Sequence, residues 1–431
     1  MRLALLLVSL SLLQAGVAPA VSDVTANAAS PFLDATSSLT SSSSASDVCD
    51  RTLFGIVTSC LTTIFLCFWV AVHPNIPGPN QSWMSMQIET FKLIIVTLVV
   101  PEWVLAWAIR QFLQAREYTK RLERARNCHS LCLRFTAWTM THGFLMTMGG
   151  FHSYRRGQPM FPLDGDDVLA LVKSRSLVPP TAGELRDKSK GGLSGLCIAV
   201  WQTLWFGVQL AARVFQNLAI TNLEIMTFAY AALSIAMYFV WFSKPLNMRC
   251  PVRVKGEKSV KHTRPLQWFA IIDYITGDQD WLIDLSGEER VPTFWSSCRS
   301  TYYDGNSHTS YLPLYADIIA LSVAMVFGAV HFAAWSFTFP SLEQQTLWRV
   351  CAIAITAIPL SLAMAFAVFD PFRADIQAGF STYVPLICMS LGALLYIMAR
   401  ILLLVLSFAT LRQLPLSAYQ TVQWTTWIPH V

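Results

Sequence analysis

The stretch LIIVTLVVPEWVLAWAIR, residues 93–110, decides the fold class, because it is long and apolar enough to lie in a membrane. Its middle holds Pro101 followed by Glu102. A proline interrupts the hydrogen-bond ladder of a helix, so the segment is predicted either to cross with a kink or to dip in and return. Glu102 is an ionisable residue in an apolar segment, and such residues are candidates for function.

The composition is typical of a polytopic membrane protein. Of 431 residues, 54% are hydrophobic and 13% are charged, and the mean hydropathy is +0.45. Soluble domains carry roughly 25% charged residues. The net charge of +5 comes from basic loops beside apolar segments, which the cytoplasmic bias of Lys and Arg explains. Nucleic-acid binding is therefore not expected.

Seven apolar segments beyond residue 50 each approach the roughly 20 residues that a helix needs to cross a bilayer. The segments are continuous rather than alternating, which predicts helices and not barrel strands. We expect an all-α polytopic transmembrane bundle over residues 51–431, with one span possibly re-entrant. The segments lie at about 53–72, 91–110, 195–213, 225–243, 315–338, 347–369 and 384–408.

The first 50 residues resemble a targeting segment and a linker. Residues 1–20 combine Arg2, a short apolar core and Ala18-Pro19-Ala20, which predicts a signal peptide or an uncleaved signal-anchor. Residues 21–50 are rich in Ser and Thr and are expected to be disordered. A chain that enters by such a signal is expected in the endoplasmic reticulum or another endomembrane.

Loop charge predicts the orientation. Loop 111–194 holds 13 Lys and Arg and loop 244–314 holds 9, whereas 73–90, 214–224 and 339–346 hold none. Both basic loops are therefore predicted to be cytoplasmic. Loop 111–194 begins with a basic stretch, 111–132, that is typical of an amphipathic surface helix.

A cleaved signal peptide conflicts with seven simple spans, because it would place loop 111–194 outside. Three repairs remain open, in order of preference. Either the signal is not cleaved, or 91–110 is re-entrant, or 133–151 is an additional span. Asn80-Gln81-Ser82 is a glycosylation candidate that tests them, because a glycan at Asn80 requires a lumenal first connection.

Glu102 and Arg400 are the most notable charged residues within apolar segments. Desolvation favours the protonated form of a carboxyl group, so Glu102 is a candidate acid. The alternative is a structural carboxylate paired with a basic residue, and Arg400, deep in the last segment, is the candidate partner.

Two further segments carry polar residues at helical spacing. Asp317 and His331 are fourteen residues apart and fall on nearly one face, which Trp335 continues. These two are candidates for a catalytic acid and a proton relay. A second polar face is predicted to line a substrate cavity or to join helices, and it consists of Gln202, Trp205, Gln209 and Arg213.

Several motifs carry little weight. Cys128 and Cys132 flank a histidine, but no second pair stands at zinc spacing, so no metal site is expected. Asp164-Gly165-Asp166-Asp167 spells DxDD, the protonating motif of soluble terpene cyclases, yet it lies in a polar loop and is interpreted as a coincidence. Nucleotide-binding, zinc-protease and ordinary hydrolase motifs do not occur, and no cofactor is expected.

From about Cys49 onward the chain resembles a group of fungal polytopic membrane proteins. The similar stretches are WVAVHPNIPGP, WTMTHGFLMTMGGF, RDKSKGGLSGL, WQTLWFGVQLAAR, KPLNMRCPV and TTWIPHV. Some members of that group are identified as membrane-bound terpene cyclases of meroterpenoid pathways of the ascofuranone and macrophorin type. The resemblance carries over no catalytic motif.

The resemblance implies an isomerase-type cyclase of secondary metabolism that acts on an apolar prenylated phenol or quinone, beside other pathway enzymes. Such a reaction needs an acid, a dry aromatic cavity and a final base. Glu102 or Asp317 is the candidate acid, His331 the relay, and tryptophans the shield for a carbocation. Gln202, Trp205, Gln209, Trp335 and Arg400 are the candidate cavity residues. The alternatives are a transporter of a small apolar metabolite and a structural membrane protein.

Overall fold

The computed structural model describes residues 51–127, 137–189, 193–246, 248–255, 280, 283, 285, 288–297, 312–369 and 379–424. The predicted signal segment 1–20, the linker 21–50 and the pair Cys128 and Cys132 lie outside these residues. The described chain is mostly helical, which confirms the predicted all-α membrane class.

The described helices follow one another with few strands between them. In chain order they are α1 (Leu53–Ala71), α2 (Trp83–Val99), α3 (Pro101–Asn127), α4 (Met140–Thr147), α5 (Gly165–Lys173), α6 (Ala182–Lys188), α7 (Leu193–Phe215), α8 (Asn222–Trp241), α9 (Leu312–Val330), α10 (Leu342–Phe369) and α11 (Gly379–Ala409). The strands are β1 (Phe151–Arg155), β2 (Gln158–Pro162) and β3 (Val252–Lys255), and short 3₁₀ turns follow α9 and α11.

Five of the described helices are long and apolar enough to cross a membrane. They are Leu53–Ala71, Asn222–Trp241, Tyr315–Ala334, Leu342–Ala365 and Ile387–Arg412, and they correspond to five of the seven predicted segments. The predicted span 195–213 forms α7, which is not among these five by composition.

The predicted single segment 91–110 is wrong, because it consists of two helices that meet at an angle of 114°. Val100 N–H donates to Val96 O at 2.7 Å and ends α2, and Pro101 begins α3. Proline has no N–H to continue the ladder and suits the first position of a helix. The basic stretch predicted as a separate surface helix continues α3 as far as Asn127.

The alternative span 133–151 is also wrong. Its apolar residues form α4, which is eight residues long, and the chain then enters β1 at Phe151. The sheet order is β2-β1-β3, with β2 antiparallel and β3 parallel to β1. Because β1 belongs to the first basic loop and β3 to the second, the two loops form one small subdomain.

Helices α1 and α8 run in the same direction between two ends of the bundle. At one end Arg51, before α1, pairs with Glu224 in the first turn of α8 at 2.7 Å. At the other end Lys244, after α8, donates to the carbonyl of His73, after α1, at 2.5 Å. The sheet lies at this second end, because Ile76 N–H donates to Met148 O.

Helices α2 and α3 form a hairpin that enters from the sheet end and returns to it. Near the start of α2, Glu89 pairs with Arg290 at 3.3 Å. At its tip, Leu98 O accepts from the hydroxyl of Tyr230, halfway along α8, at 2.5 Å. Farther along α3, Gln111 accepts from Lys244. Pro101 and Glu102 therefore lie at the tip, midway between the two ends.

Candidate functional site in the helix bundle

Glu102 occupies the first turn of α3, directly after the break, and is 8% exposed. A carboxylate at this position faces the positive end of the helix dipole. Tyr396 and Arg400 of α11 are near enough to interact with it electrostatically. Neither carboxyl oxygen, however, has a hydrogen-bond partner of good geometry in the described part of the chain.

Arg400 binds the open end of α2. Its Nε donates to Val99 O at 3.3 Å, and its Nη2 donates to the hydroxyl of Tyr230 at 3.4 Å, which itself donates to Leu98 O. The last carbonyls of a helix lack intrahelical partners. A cation suits this negative end of the dipole, so the break at Pro101 explains both charges at the tip.

An aromatic surface supports the guanidinium. The central carbon of Arg400 lies 4.0 Å from the ring centroid of Phe327 and 5.3 Å from that of Tyr230. Ring faces stabilise a cation, and more so where water is excluded. The Nη1 of Arg400 is buried and has no partner within the described residues.

His331 reaches the same aromatic surface from the 3₁₀ turn after α9. Its side chain is fully buried, and its ring centroid lies 5.1 Å from that of Phe327. Nδ1 contacts Phe327 O at 3.0 Å. A carbonyl oxygen can only accept, so Nδ1 carries the hydrogen. Nε2 is buried and has no partner in the described ranges.

These residues combine several buried polar atoms that no described residue satisfies. They are both oxygens of Glu102, the hydroxyl of Tyr396, Nη1 of Arg400 and Nε2 of His331. Buried polar atoms in folded proteins are nearly always hydrogen-bonded to protein or to ordered water. A group of unpaired donors and acceptors in one place is what a site for a polar ligand group requires. We call Glu102, Tyr230, His331, Tyr396 and Arg400 the tip site.

Asp317 lies apart from the tip site. Its Oδ1 accepts from Nη2 and Nε of Arg110 at 2.6 and 3.1 Å, and the ion pair joins α9 to α3. The expected pairing of Asp317 with His331 on one face does not occur, because each side chain has its own partners.

The predicted polar face of α7 packs against other parts of the chain. Gln202 donates to Thr63 Oγ1 of α1 at 3.3 Å, and Trp205 stacks on Trp424 with ring centroids 5.3 Å apart. Gln209 is half-buried. Arg213 donates to the carbonyls of Ala219, Ser417, Ala418 and Gln420. No hydrogen bond or ring contact given for the described residues joins this face to the tip site.

Trp335 is also remote from a buried cavity. It is 38% exposed, and the guanidinium of Arg349 lies 4.9 Å from its ring. Of the predicted cavity residues, the structure places only Arg400 in the tip site.

Sequence reasoning missed the two tyrosines of the tip site. Tyr396 stands four residues before Arg400, and this spacing puts both on one helical face. The spacing was therefore an available signal. Tyr230 lies in an apolar run of α8 with no polar neighbour at helical spacing, so nothing in the sequence pointed to it.

A second buried cation, Lys244, lies at the sheet end and was also missed. Its Nζ donates to His73 O and to Gln111 Oε1 at 2.7 Å, and it lies 4.4 Å from the ring centroid of Trp241 and 4.6 Å from that of Trp107. Burial lowers the pKa of Lys244 well below its ordinary value.

The surroundings of Lys244 are themselves bonded together. Gln111 donates to Asn75 and to Trp295 O, and Trp241 donates to Gln111. His73 stacks on Trp241 with ring centroids 5.7 Å apart. Burial, and secondarily the charge of Lys244, lowers the pKa of His73 to about 3. We call this group the lysine cage.

The DxDD motif has a structural explanation. Asp164 is the N-cap of α5, and its Oδ1 accepts from Asp167 N–H at 2.9 Å. A Cβ at Gly165 would lie 2.1 Å from the ring of Tyr118, so this position requires glycine. No group of three or more potential metal ligands occurs among the described residues.

Comparisons with known proteins identify the family but no characterised relative. Neither the curated proteins nor the solved structures gave a match to the chain. A family of unknown function, DUF8562, matches residues 28–277 and 306–431. Because this match covers most of the sequence, the chain belongs to the DUF8562 family.

Proposed function

We propose that the protein is an integral membrane protein whose sheet end faces the cytoplasm. The two basic loops meet in the sheet, and they carry 13 and 9 Lys and Arg. An even number of crossings must separate β1 from β3 if both lie on one side. Since α8 is apolar enough to cross, α7, with 23 residues, is the second crossing.

This arrangement has six crossings and one re-entrant hairpin, α2–α3, that ends at mid-depth. Arg51 and Glu224 then lie on the lumenal side, so a cleaved signal peptide and cytoplasmic basic loops are compatible. The second of the three repairs is therefore favoured over an uncleaved signal. Asn80, which is exposed between α1 and α2, belongs to the cytoplasmic side, and we expect no glycan there.

Protease protection tests the orientation. In sealed microsomes, added trypsin should cut at the exposed turn Arg155-Arg156 between β1 and β2. A tag placed after residue 431 should be protected until detergent is added. A glycan on Asn80, or protection of the turn with digestion of the tag, would reverse or exclude this orientation.

We further propose that the tip site catalyses an acid-initiated cyclisation of an apolar prenylated phenol or quinone. One observation carries this proposal: a buried carboxyl group without a partner, Glu102, beside the aromatic rings of Tyr230, Phe327 and Tyr396. Such a carboxyl group favours its protonated form and is a suitable acid. An apolar substrate would reach it from the bilayer.

The proposed chemistry is an isomerisation. The carboxylic acid of Glu102 donates its proton to a terminal alkene or epoxide oxygen of the prenyl chain, and the cation that forms is attacked by the electron pair of the next double bond. Ring faces stabilise the moving charge. The last cation loses a proton to a base, so substrate and product have the same formula. His331 remains the candidate relay that returns this proton to Glu102.

Expression of the full chain in a host that lacks it tests the proposal. Microsomes are supplied with prenylated phenols and with their epoxides, and extracts are analysed by mass spectrometry with chromatography. We expect a product of unchanged mass and changed retention. Recovery of only the starting compounds over the whole panel would count against the cyclase.

A transporter is the second candidate, and the discontinuous hairpin favours it. Broken helices whose ends carry charged residues at mid-depth are typical of substrate and ion sites in transporters. Sealed vesicles distinguish the two: transport concentrates an unchanged compound across the membrane, whereas a cyclase changes it in leaky membranes as well.

A further inference from the structure

The tip site contains an unpaired donor and an unpaired acceptor that share one aromatic ring. Arg400 and His331 both contact Phe327, at 4.0 Å for the guanidinium carbon and 5.1 Å between ring centroids. Nη1 of Arg400 can only donate. Nε2 of a neutral imidazole whose Nδ1 donates to Phe327 O can only accept.

The imidazole has reason to stay neutral and fixed. Arg400 is a permanent cation within electrostatic range of His331, and a second positive charge in a buried site is costly. Trp348 Nε1 donates to His331 O at 3.2 Å, and its ring lies 6.0 Å from the imidazole. These contacts hold the backbone and the ring of His331, so the orientation of Nε2 is preorganised.

We propose that the tip site recognises a hydroxyl group on its apolar ligand, whose hydrogen is accepted by His331 Nε2 and whose oxygen accepts from Arg400 Nη1. A hydroxyl group is both a donor and an acceptor, so it matches this pair, whereas a carbonyl, an ether or a hydrocarbon leaves Nε2 unpaired. The inference rests on the proposed function for the location and the apolar character of the ligand, and it adds the polar group that is selected.

Discrimination should be large because the site is buried. A ligand that lacks the hydroxyl leaves both a donor and an acceptor desolvated without partners, and sites built for a hydroxyl group reject analogues without it. We expect a geranylphenol to bind about tenfold to a hundredfold more tightly than the geranylbenzene of the same skeleton.

Equilibrium binding of the two radiolabelled compounds to the purified full-length protein in lipid nanodiscs tests this. His331→Phe should reduce the ratio of the two affinities to about one while geranylbenzene binds as before, which also shows that the variant is folded. His331→Gln keeps an acceptor and should retain part of the preference. Ser322→Ala, on the exposed side of α9, should keep the full ratio.

Equal binding of both compounds by the wild type, or an unchanged ratio in His331→Phe, would overturn the inference. The readout needs no turnover and separates the two proposals. A hydroxyl preference without any cyclised product would sink the cyclase and leave the inference intact. Cyclisation without a hydroxyl preference would do the reverse.

Discussion

Two buried cations, Arg400 in the tip site and Lys244 in the lysine cage, lie in very different surroundings. Lys244 has two carbonyl acceptors and two tryptophan faces, and the amide that binds it is held by three further hydrogen bonds. Arg400 keeps one nitrogen unpaired beside the unpaired carboxyl group of Glu102. Within the described residues, the satisfied group is a structural one, and the unsatisfied group has room for another molecule's polar atoms.

The largest expected effect is on activity at the tip. Glu102→Gln keeps the shape and removes the proton donor, so cyclase turnover should fall by a factor on the order of 10³. The melting temperature should stay equal or rise, because an unpaired buried carboxyl group is lost. Product formation and thermal unfolding are measured on the same nanodisc preparation.

Asp317→Asn is the matched control, because that carboxylate is paired with Arg110. It should reduce stability by about 3 kcal/mol and leave the turnover of the folded fraction within a few fold. Equal losses of turnover in both variants would mean that Glu102 has no special role.

Lys244→Met should have the opposite profile. It leaves His73 O and Gln111 Oε1 without the ammonium donor, which costs about 2–4 kcal/mol of folding free energy. The hydroxyl preference of the tip site should survive in the folded fraction. The melting temperature relative to wild type measures the loss, and an unchanged value would show that the cage is not a structural element.

Acidification should weaken the cage before the tip. The pKa of His73 is about 3 in the folded protein and 6.5 ordinarily, so the unfolded state takes up a proton first as the pH falls. Stability is complete above about pH 6.5 and falls towards pH 3, with a loss of about 2 kcal/mol by pH 5.

His73→Phe keeps the ring against Trp241 and removes this titration. The difference in melting temperature between pH 7 and pH 5 should therefore be smaller in the variant than in the wild type. An identical pH dependence would assign the acid sensitivity to another group.

The smallest effect is expected at a carboxylate that resembles a catalytic motif. Asp164→Ala removes the cap of α5 and should cost about 1 kcal/mol, with cyclase turnover unaffected. Loss of turnover without loss of stability would restore a catalytic reading of DxDD and weaken the case for Glu102.

The sequence predicted the parts of the fold that depend on local pattern. Apolar runs of span length predicted five helices, and Pro101 indicated the break, because both effects act within one segment. The sheet was missed because β1 and β3 are short and pair across about 100 residues of chain, and no local periodicity records such pairing.

The tip site was predicted in part for the same reason. Glu102, His331 and Arg400 stood out as ionisable residues in apolar segments, and Arg400 was the candidate partner of Glu102. The contacts of Asp317 and of the α7 face depend on which helices are neighbours, and a single sequence does not contain that information. Tyr230 owes its role entirely to the carbonyl of Leu98, which the helix break leaves open.

The parallel pairing of β1 with β3 has a consequence for biogenesis. Translation proceeds at roughly 5–20 residues per second, so β1 waits about 5–20 s before β3 emerges. Two membrane crossings must be inserted in that interval with their ends on one side. The sheet can close only when α7 and α8 have the correct orientation, and it therefore acts as a late checkpoint on the topology of the nascent chain.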